Sequence, residues 1–243
     1  MLYKTIGLFQ FFLFLTVLVS FGQDSSFVEY SRAEAISFYS SSVRDQLLLF
    51  NGVEYKPIPE PYEGHPFFES EYIEEGSITY YGETYQNVPM HYDLVHDEVV
   101  IEHYDQKGYV GLVKPHQNKI TSFVLLNHTF IHLGSQSTGE DIRDGYYDLL
   151  YDGNVKILAK RKKTISEDLS MQTLKVSFNE KVSYYLFKDN EYHTIKSKGS
   201  VLKVLKDKRK ELNQFASKRR ADFTLNREYS MVKLAEYYDQ ISK

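Results

Sequence analysis

The sequence predicts an α+β fold: a curled antiparallel β meander of about ten strands, which could close like a barrel, with two C-terminal helices and a possible N-terminal helix. Its 243 residues include 21 tyrosines and 16 phenylalanines but no tryptophan, and aromatic residues favour pleated, half-buried surfaces. Turn signals recur at short spacing up to about residue 195. After Gly199 the apolar residues recur at helical spacing, so helices follow the sheet.

The N-terminus has the layout of a secretory signal peptide. Lys4 precedes an apolar run over residues 6–19, and small residues surround Phe21. We expect cleavage after Gly22 and a single mature domain over 23–243, with the meander at about 47–195 and the helices at about 200–241. The alternative is an uncleaved anchor, but the run is shorter than the roughly 20 apolar residues that a span needs. We expect no transmembrane segment after cleavage.

The chain contains no cysteine. This excludes a disulfide framework, a thiolate metal site, a cysteine nucleophile and a lipid attached through cysteine. An exported chain of this length without disulfides fits a bacterial periplasm, cell surface or extracellular space better than a eukaryotic secretory route. The sequence therefore predicts a bacterial envelope or secreted protein.

The first part of the mature chain is open to two interpretations. Ser31 and Glu34 have capping-box spacing, so residues 33–49 could form a helix that Gly52 ends. The end of this segment could instead form a strand before an Asn51-Gly52 turn. The prolines that follow forbid a central strand and predict an extended crossing loop up to Gly76. They are Pro57, Pro59, Pro61 and Pro66.

Alternating apolar residues predict the strands of the meander. These strands cover residues 77–81, 86–94, 109–113, 120–126, 129–133, 146–151, 155–159 and 174–178. Two-residue turns are predicted at His96-Asp97, Asp152-Gly153 and Asp189-Asn190. The first turn would place His91 opposite Glu102, and the last would place Phe187 opposite Tyr192.

The C-terminal region predicts two amphipathic helices that pack on the sheet. The first has an apolar stripe formed by Val201, Leu202, Val204, Leu205, Leu212, Phe215 and Ala216. The second begins near Asn226, whose side chain can cap it. Its stripe is formed by Met231, Leu234, Ala235, Tyr238 and Ile241.

Charge divides the chain into two halves of opposite sign. Residues 151–243 hold 21 Lys and Arg against 12 Asp and Glu, whereas residues 23–150 hold 7 against 21. The basic half could bind a polyanion, or it could simply pack beside the acidic half. The anion-binding candidates are Lys160, Arg161, Lys162, Lys163, Lys206, Arg209 and Lys210. The net charge of −4 and the lack of a recognised motif argue against nucleic acid as the partner.

One run of histidines and carboxylates suggests a weak metal site. Its candidate ligands are His91, Asp93 and Glu102, which the predicted hairpin places on its polar face. Two or three ligands on one strand face hold zinc or calcium only with help from elsewhere. We therefore expect a solvated acidic strand face, no metal and no cofactor.

The sequence lacks the motifs that mark common hydrolases. It has no Gly-x-Ser-x-Gly, no His-Glu-x-x-His and no phosphate-binding glycine loop. A glycosidase needs two carboxylates at a suitable separation, and residues 60–75 and 93–102 offer several. A hydrolase acting on envelope or extracellular glycans thus stays open as an alternative.

Several spaced motifs resemble exported β-rich proteins of Bacteroidetes bacteria, a group without an assigned activity. The motifs cover residues 51–55, 64–68, 80–82, 90–95, 145–148 and 237–239. The resemblance implies a bacterial envelope location and a single domain. It implies no reaction and no functional residues.

Together these observations favour a non-catalytic exported module. Its expected partner is an envelope protein or a small apolar ligand, because a curved, aromatic-rich sheet covered by helices can enclose a pocket. An anion-binding surface is the further alternative.

Overall fold

The computed structural model describes residues 31–32, 48–58, 62–104, 110–134, 137, 142–168, 175–218, 223 and 225–242. The chain divides into two compact units, Met1–Gln46 and Leu47–Lys243. In the first unit only Ser31 and Arg32 are described, and both are helical. The predicted signal peptide and most of the possible N-terminal helix lie outside the described residues. Among the described helices, none is long and apolar enough to cross a membrane.

The second unit has the predicted α+β fold, built on one sheet of 12 strands. The strands are β1 Val53–Glu54, β2 Tyr62–Glu63, β3 Glu74–Tyr80, β4 Glu83–Asp93, β5 Glu98–Tyr104, β6 Val110–Lys114, β7 Ile120–Leu125, β8 His128–Leu133, β9 Gly145–Asp152, β10 Lys156–Asp168, β11 Lys175–Lys188 and β12 Glu191–Ile195. Their order is β1-β6-β5-β4-β3-β7-β8-β9-β10-β11-β12, and β2 pairs with β11 in parallel. The order has two ends, so the sheet is not closed and the barrel-like arrangement that the sequence allowed does not form.

Three helices follow the sheet instead of the predicted two. They are α1 Lys198–Val204, α2 Arg209–Lys218 and α3 Arg227–Ile241. The first predicted helix is interrupted at Leu205 by a 3₁₀ turn, Lys206–Lys208. In this turn Asp207 accepts hydrogen bonds from Lys188 Nζ at 2.7 Å and from the Tyr238 hydroxyl at 2.9 Å. These bonds hold the turn against β11 and α3. Asn226 precedes α3 as predicted, but its side chain forms no capping hydrogen bond.

The apolar side chains form three clusters. The first lies among β3 to β8 and includes Tyr92 and Phe123. The second lies between the helices and one face of β9 to β12, and it contains the predicted stripes except Ile241. The third includes Tyr147 and Leu158 on the opposite face of β9 to β11. Four aromatic rings of the first cluster pack together, with the centroids of contacting rings 4.7–5.9 Å apart. They belong to Tyr92, Phe123, Phe130 and Tyr146.

The hairpin of β4 and β5 differs from the prediction by two residues of register. Asp93 lies opposite Glu98 and His91 opposite Val100, so the turn has four residues and the pairing of His91 with Glu102 was wrong. The Asp93 carboxylate accepts hydrogen bonds from the backbone N–H groups of Val95 at 2.8 Å and of His96 at 3.1 Å. An aspartate that bonds to the next backbone groups creates a longer turn. Because the shift is even, every side chain keeps its predicted face.

The other two predicted hairpins form, one with the predicted turn and one with a longer turn. Asp189 and Asn190 form the two-residue turn, with φ of 53° and 64°, and Phe187 lies opposite Tyr192 as predicted. Between β9 and β10 the turn has three residues, because Asp152 lies opposite Lys156. The Asp239 carboxylate of α3 accepts a hydrogen bond from the Asn154 N–H at 2.7 Å and holds this turn open.

Candidate anion-binding cleft

A cleft of about 650 Å³ lies where β12 ends beside β11. Among the described residues that line it, six side chains are cationic and none is a carboxylate. We call it the basic cleft, and its cations are Arg143, Lys160, Lys162, Lys181, Lys196 and Arg227. Tyr147, Tyr184 and Tyr185 supply aromatic surface between the charges. The volume is in the range of ordinary ligand sites.

The pairing of β10 with β11 brings three of these cations together: Lys160, Lys162 and Lys181. Lys162 on β10 lies directly opposite Lys181 on β11, and Lys160 lies opposite Ser183. Side chains two apart on a strand share a face, so the two lysines of β10 point the same way. Like charges that face each other across an antiparallel pair destabilise the sheet. The fold therefore keeps a repulsive lysine pair in the lining of the cleft.

Most of the positive charge in the cleft is not neutralised by carboxylates of the described residues. Arg143, Lys162, Lys181, Lys196 and Arg227 are exposed. Within the described residues, none of these five side chains has a carboxylate within 4 Å. A concave surface lined by one sign of charge attracts counter-ions strongly.

Lys160 differs from the other cations because it is buried and paired. Its ammonium group donates hydrogen bonds to an oxygen of Asp97 and to the Tyr146 carbonyl at 2.8 Å. Burial lowers the pKa of Lys160, and the Asp97 carboxylate opposes that effect. Gly145 makes room for this ion pair, because a Cβ at that position would lie 2.0 Å from Asp97 Oδ2. Lys160 thus lines the cleft as a buried cation that is already paired with a carboxylate.

One hydroxyl in the cleft has no partner in the structure. Thr194 Oγ1 is buried and forms no hydrogen bond with any described residue. A buried polar atom without a partner is costly, and a ligand can satisfy it. Thr194 lines the cleft, so a ligand with a hydrogen-bonding group would find this hydroxyl there.

Arg161 and Lys163 were predicted anion-binding residues, but they lie on the opposite face of β10 and are used within the fold. Arg161 is 8% exposed and donates hydrogen bonds to Asp148 at 2.7 and 2.9 Å and to Glu228 at 3.1 Å. The Lys163 ammonium group donates to the carbonyls of His65 at 2.9 Å and Phe67 at 2.7 Å. Neither is among the residues that line the basic cleft. Only Lys160 and Lys162 of the predicted four line it.

The second predicted basic set is separate from the cleft. Lys206, Arg209 and Lys210 are exposed and line a depression of about 610 Å³ near α2. Asp207 and Glu211 line the same depression, so its charge is mixed. We therefore expect this depression to attract an anion less strongly than the basic cleft does.

The weak metal candidates do not form a metal site in the described part of the chain, where no group of three or more His, Asp or Glu residues could hold an ion. His91 is buried and stacks on Phe67, with ring centroids 3.8 Å apart. Asp93 accepts a hydrogen bond from the Tyr55 hydroxyl at 2.8 Å, and Glu102 accepts one from the Tyr104 hydroxyl at 2.7 Å. The expected solvated face is thus wrong for His91 and Asp93, because Phe67 and Tyr55 cover these two side chains.

Four cleft residues were missed by sequence reasoning: Arg143, Lys181, Lys196 and Arg227. They come from four separate segments of the chain, and none belongs to a run of consecutive cations. Only the register of β10 and β11 could have identified Lys181 as the partner of Lys162. Glu60 lies outside the described residues, and the other carboxylates of residues 60–75 and 93–102, proposed for a hydrolase, do not line this cleft.

No family model, curated protein or solved structure matches the chain. The fold and the basic cleft therefore carry the functional argument by themselves. They define a β-rich protein with a cationic, aromatic cleft at a sheet edge.

Proposed function

We propose that this protein is an exported module that binds an anionic ligand in the basic cleft and that its role is binding rather than catalysis. The observation that carries the proposal is a cleft whose lining, in the part of the chain that the structure describes, holds six cations and no carboxylate. The layout of the first 22 residues supports export. The lysine pair supports a ligand, since a bound anion would offset the repulsion between Lys162 and Lys181.

The composition of the cleft also indicates the kind of anion. Its cations are spread over several segments, so a ligand with several negative groups would engage them better than a single small ion. Tyrosine rings contribute flat apolar area between the charges. The proposal is therefore a segment of a polyanion, held by several charge contacts.

The test compares two double variants with the same change of charge. Lys162→Gln with Lys181→Gln alters the basic cleft, and Lys206→Gln with Lys210→Gln alters the mixed depression. Binding of labelled oligoglutamate and of a sulfated oligosaccharide is measured by fluorescence anisotropy at several salt concentrations. We expect the cleft variant to weaken the better ligand at least tenfold at low salt and the control variant to weaken it less than twofold.

Salt dependence gives the second readout. Affinity for a polyanion should fall steeply between 50 and 300 mM salt, because screening shortens the range of exposed charges to about 8 Å at physiological ionic strength. Equal losses in both double variants would contradict the cleft as the site. Failure of both probes to bind at low salt would contradict the proposed function itself.

A further inference from the structure

β11 has an open edge beside the basic cleft. β10 pairs with β11 over residues 175–188, but on the other side β12 pairs only with 184–188 and β2 only with 176–177. Among the residues that the structure describes, no strand pairs with residues 178–183 on that side. A gap of six residues therefore separates the two partners of this edge.

The ladder identifies the backbone groups that face the gap. The two-residue turn makes Lys188 and Glu191 a hydrogen-bonded pair, so the even-numbered residues of β11 direct N–H and C=O towards β12. The register with β10 runs without a bulge, which extends this alternation along β11. In the gap these residues are Phe178, Glu180 and Val182. They mark a strand position that no strand of the described residues fills.

The basic cleft straddles the same edge. Lys181 and Ser183 line it from one face of β11, whereas Val182 and Tyr184 line it from the other. Lys196 follows directly after β12 and also lines it. A strand added in line with β12 would enter the cleft and lie among its cations.

We infer that the anionic ligand is an extended acidic peptide segment of a partner protein, which pairs with residues 178–183 as an added β-strand. This inference rests on the proposed function. Strand addition supplies affinity through backbone hydrogen bonds and specificity through alternate side chains. A gap of six residues spans about 20 Å, which a strand of about six residues fills. Carboxylates of that strand would face Lys162, Lys181 and Lys196.

A lysine on a sheet edge also protects against unwanted pairing. Lys181 has that effect on neutral or basic strands, because an added strand would bring its own side chains beside the repulsive lysine pair. An acidic strand is the exception, since it neutralises the pair. The same residue thus rejects other chains and selects the acidic one.

The experiment uses a labelled acetylated hexapeptide of alternating glutamate and valine, and two isomers N-methylated at the odd or at the even residues. Only alternate N–H groups of an added strand face β11, so one isomer loses the pairing and the other keeps it. We expect one isomer to bind at least tenfold more weakly than the parent peptide and the other within threefold. Charge is identical in all three peptides.

Two substitutions on the protein test the same edge. Glu180→Pro removes an outward N–H without affecting the bonds to β10, and Glu180→Ala is the matched control, because it removes the same charge and keeps the N–H. We expect Glu180→Pro to weaken the parent peptide about tenfold relative to Glu180→Ala. The sulfated oligosaccharide should bind both variants within twofold of each other.

The remaining outcomes distinguish failure of strand addition from failure of anion binding. Equal binding of all three peptides would overturn strand addition and leave anion binding intact. Binding of the oligosaccharide without any binding of the parent peptide would do the same. If neither binds, the proposed function fails as well. Circular dichroism checks that Glu180→Pro folds, and if it does not, the methylated isomers decide.

Discussion

Adjacent residues of β10 serve different purposes. Lys160 and Lys162 line the cleft, whereas Arg161 joins Asp148 and Glu228 on the other face. Asp148 is 1% exposed, and it also contacts His128, whose Nδ1 lies 2.8 Å from Asp148 Oδ2. An ion pair of this kind stabilises the fold only while both partners are present, because a single buried charge is costly.

Removing the charge of Asp148 should therefore destabilise the protein. We expect Asp148→Asn to lower the free energy of unfolding by about 3 kcal/mol. Asp144→Asn is the control, because the Asp144 side chain is 64% exposed. Among the described residues, its one ion-pair partner is His132. Exposed pairs contribute at most about 1 kcal/mol. Urea denaturation at pH 7 measures both, and equal effects would contradict a structural role for the buried pair.

His91 should make stability depend on pH. Burial lowers the pKa of His91 to about 4, whereas an unfolded histidine titrates near 6.5. The unfolded chain takes up this proton first, so the contribution of His91 is fully present above pH 6.5 and is lost as the pH falls towards 4. We expect the loss to be on the order of 3 kcal/mol.

The measurement compares the wild type with His91→Phe, which keeps a ring on Phe67. The difference between their free energies of unfolding should be constant from pH 7 to 8. It should move in favour of the variant as the pH falls from 6.5 to 4. A constant difference over the whole range would show that His91 does not titrate as its burial implies.

The Lys162–Lys181 pair should lower the stability of the free protein and raise its affinity for the anionic ligand. Lys162→Gln removes the repulsion across β10 and β11, so we expect it to stabilise the free protein by a few tenths of a kcal/mol. The same substitution should weaken binding of oligoglutamate. Thermal unfolding and anisotropy measure the two effects on one sample. A variant that is less stable and binds equally well would contradict a functional origin of the pair.

Local patterns predicted most elements but not the contacts that adjust them. Alternation located β3, β4, β6, β7 and β8 to within three residues, because one face of each strand is buried. The turn at Asp189 and Asn190 formed as predicted, since both residues adopt the positive φ that a two-residue turn of this kind requires. The turns near Asp93 and Asp152 were longer than predicted, because carboxylates bond to their backbone groups. One of those carboxylates, Asp239, lies in α3, so its effect on the turn is not visible in the local sequence.

The site could be predicted only in part for a related reason. A run of four cations marks β10, but strand alternation divides it between two faces, and Arg161 and Lys163 on the second face bond within the fold and do not line the cleft. The remaining cleft cations lie in four separate segments of the sequence and meet only in the folded chain. A sequence pattern therefore indicated where charge is dense, whereas the fold determines which charges remain free of carboxylates.

Buried polar contacts join the apolar clusters of the Leu47–Lys243 unit. Asp97, in the turn between β4 and β5, bonds to Lys160 of β10 and to the Tyr92 hydroxyl of the first cluster. Arg161 of β10 bonds to Glu228 of α3 beside the second cluster. The clusters also share one continuous sheet. We therefore expect this unit to unfold as one cooperative system and not cluster by cluster.

The sharpest test of this cooperativity uses a substitution far from the first cluster. Leu212 of α2 is fully buried in the second cluster, and truncation of a buried leucine costs about 2 to 5 kcal/mol. In a cooperative unit, Leu212→Ala should lower the exchange protection of the slowest amides of β4 and β5 by that same free energy, although no atom near them changes. Ile165→Ala, at a side chain that is 42% exposed, is the control and should leave those amides within about 0.5 kcal/mol. Unchanged protection of β4 and β5 in Leu212→Ala would show that the helices unfold separately from the sheet, and the ion pairs of β10 would then stabilise each cluster without joining them.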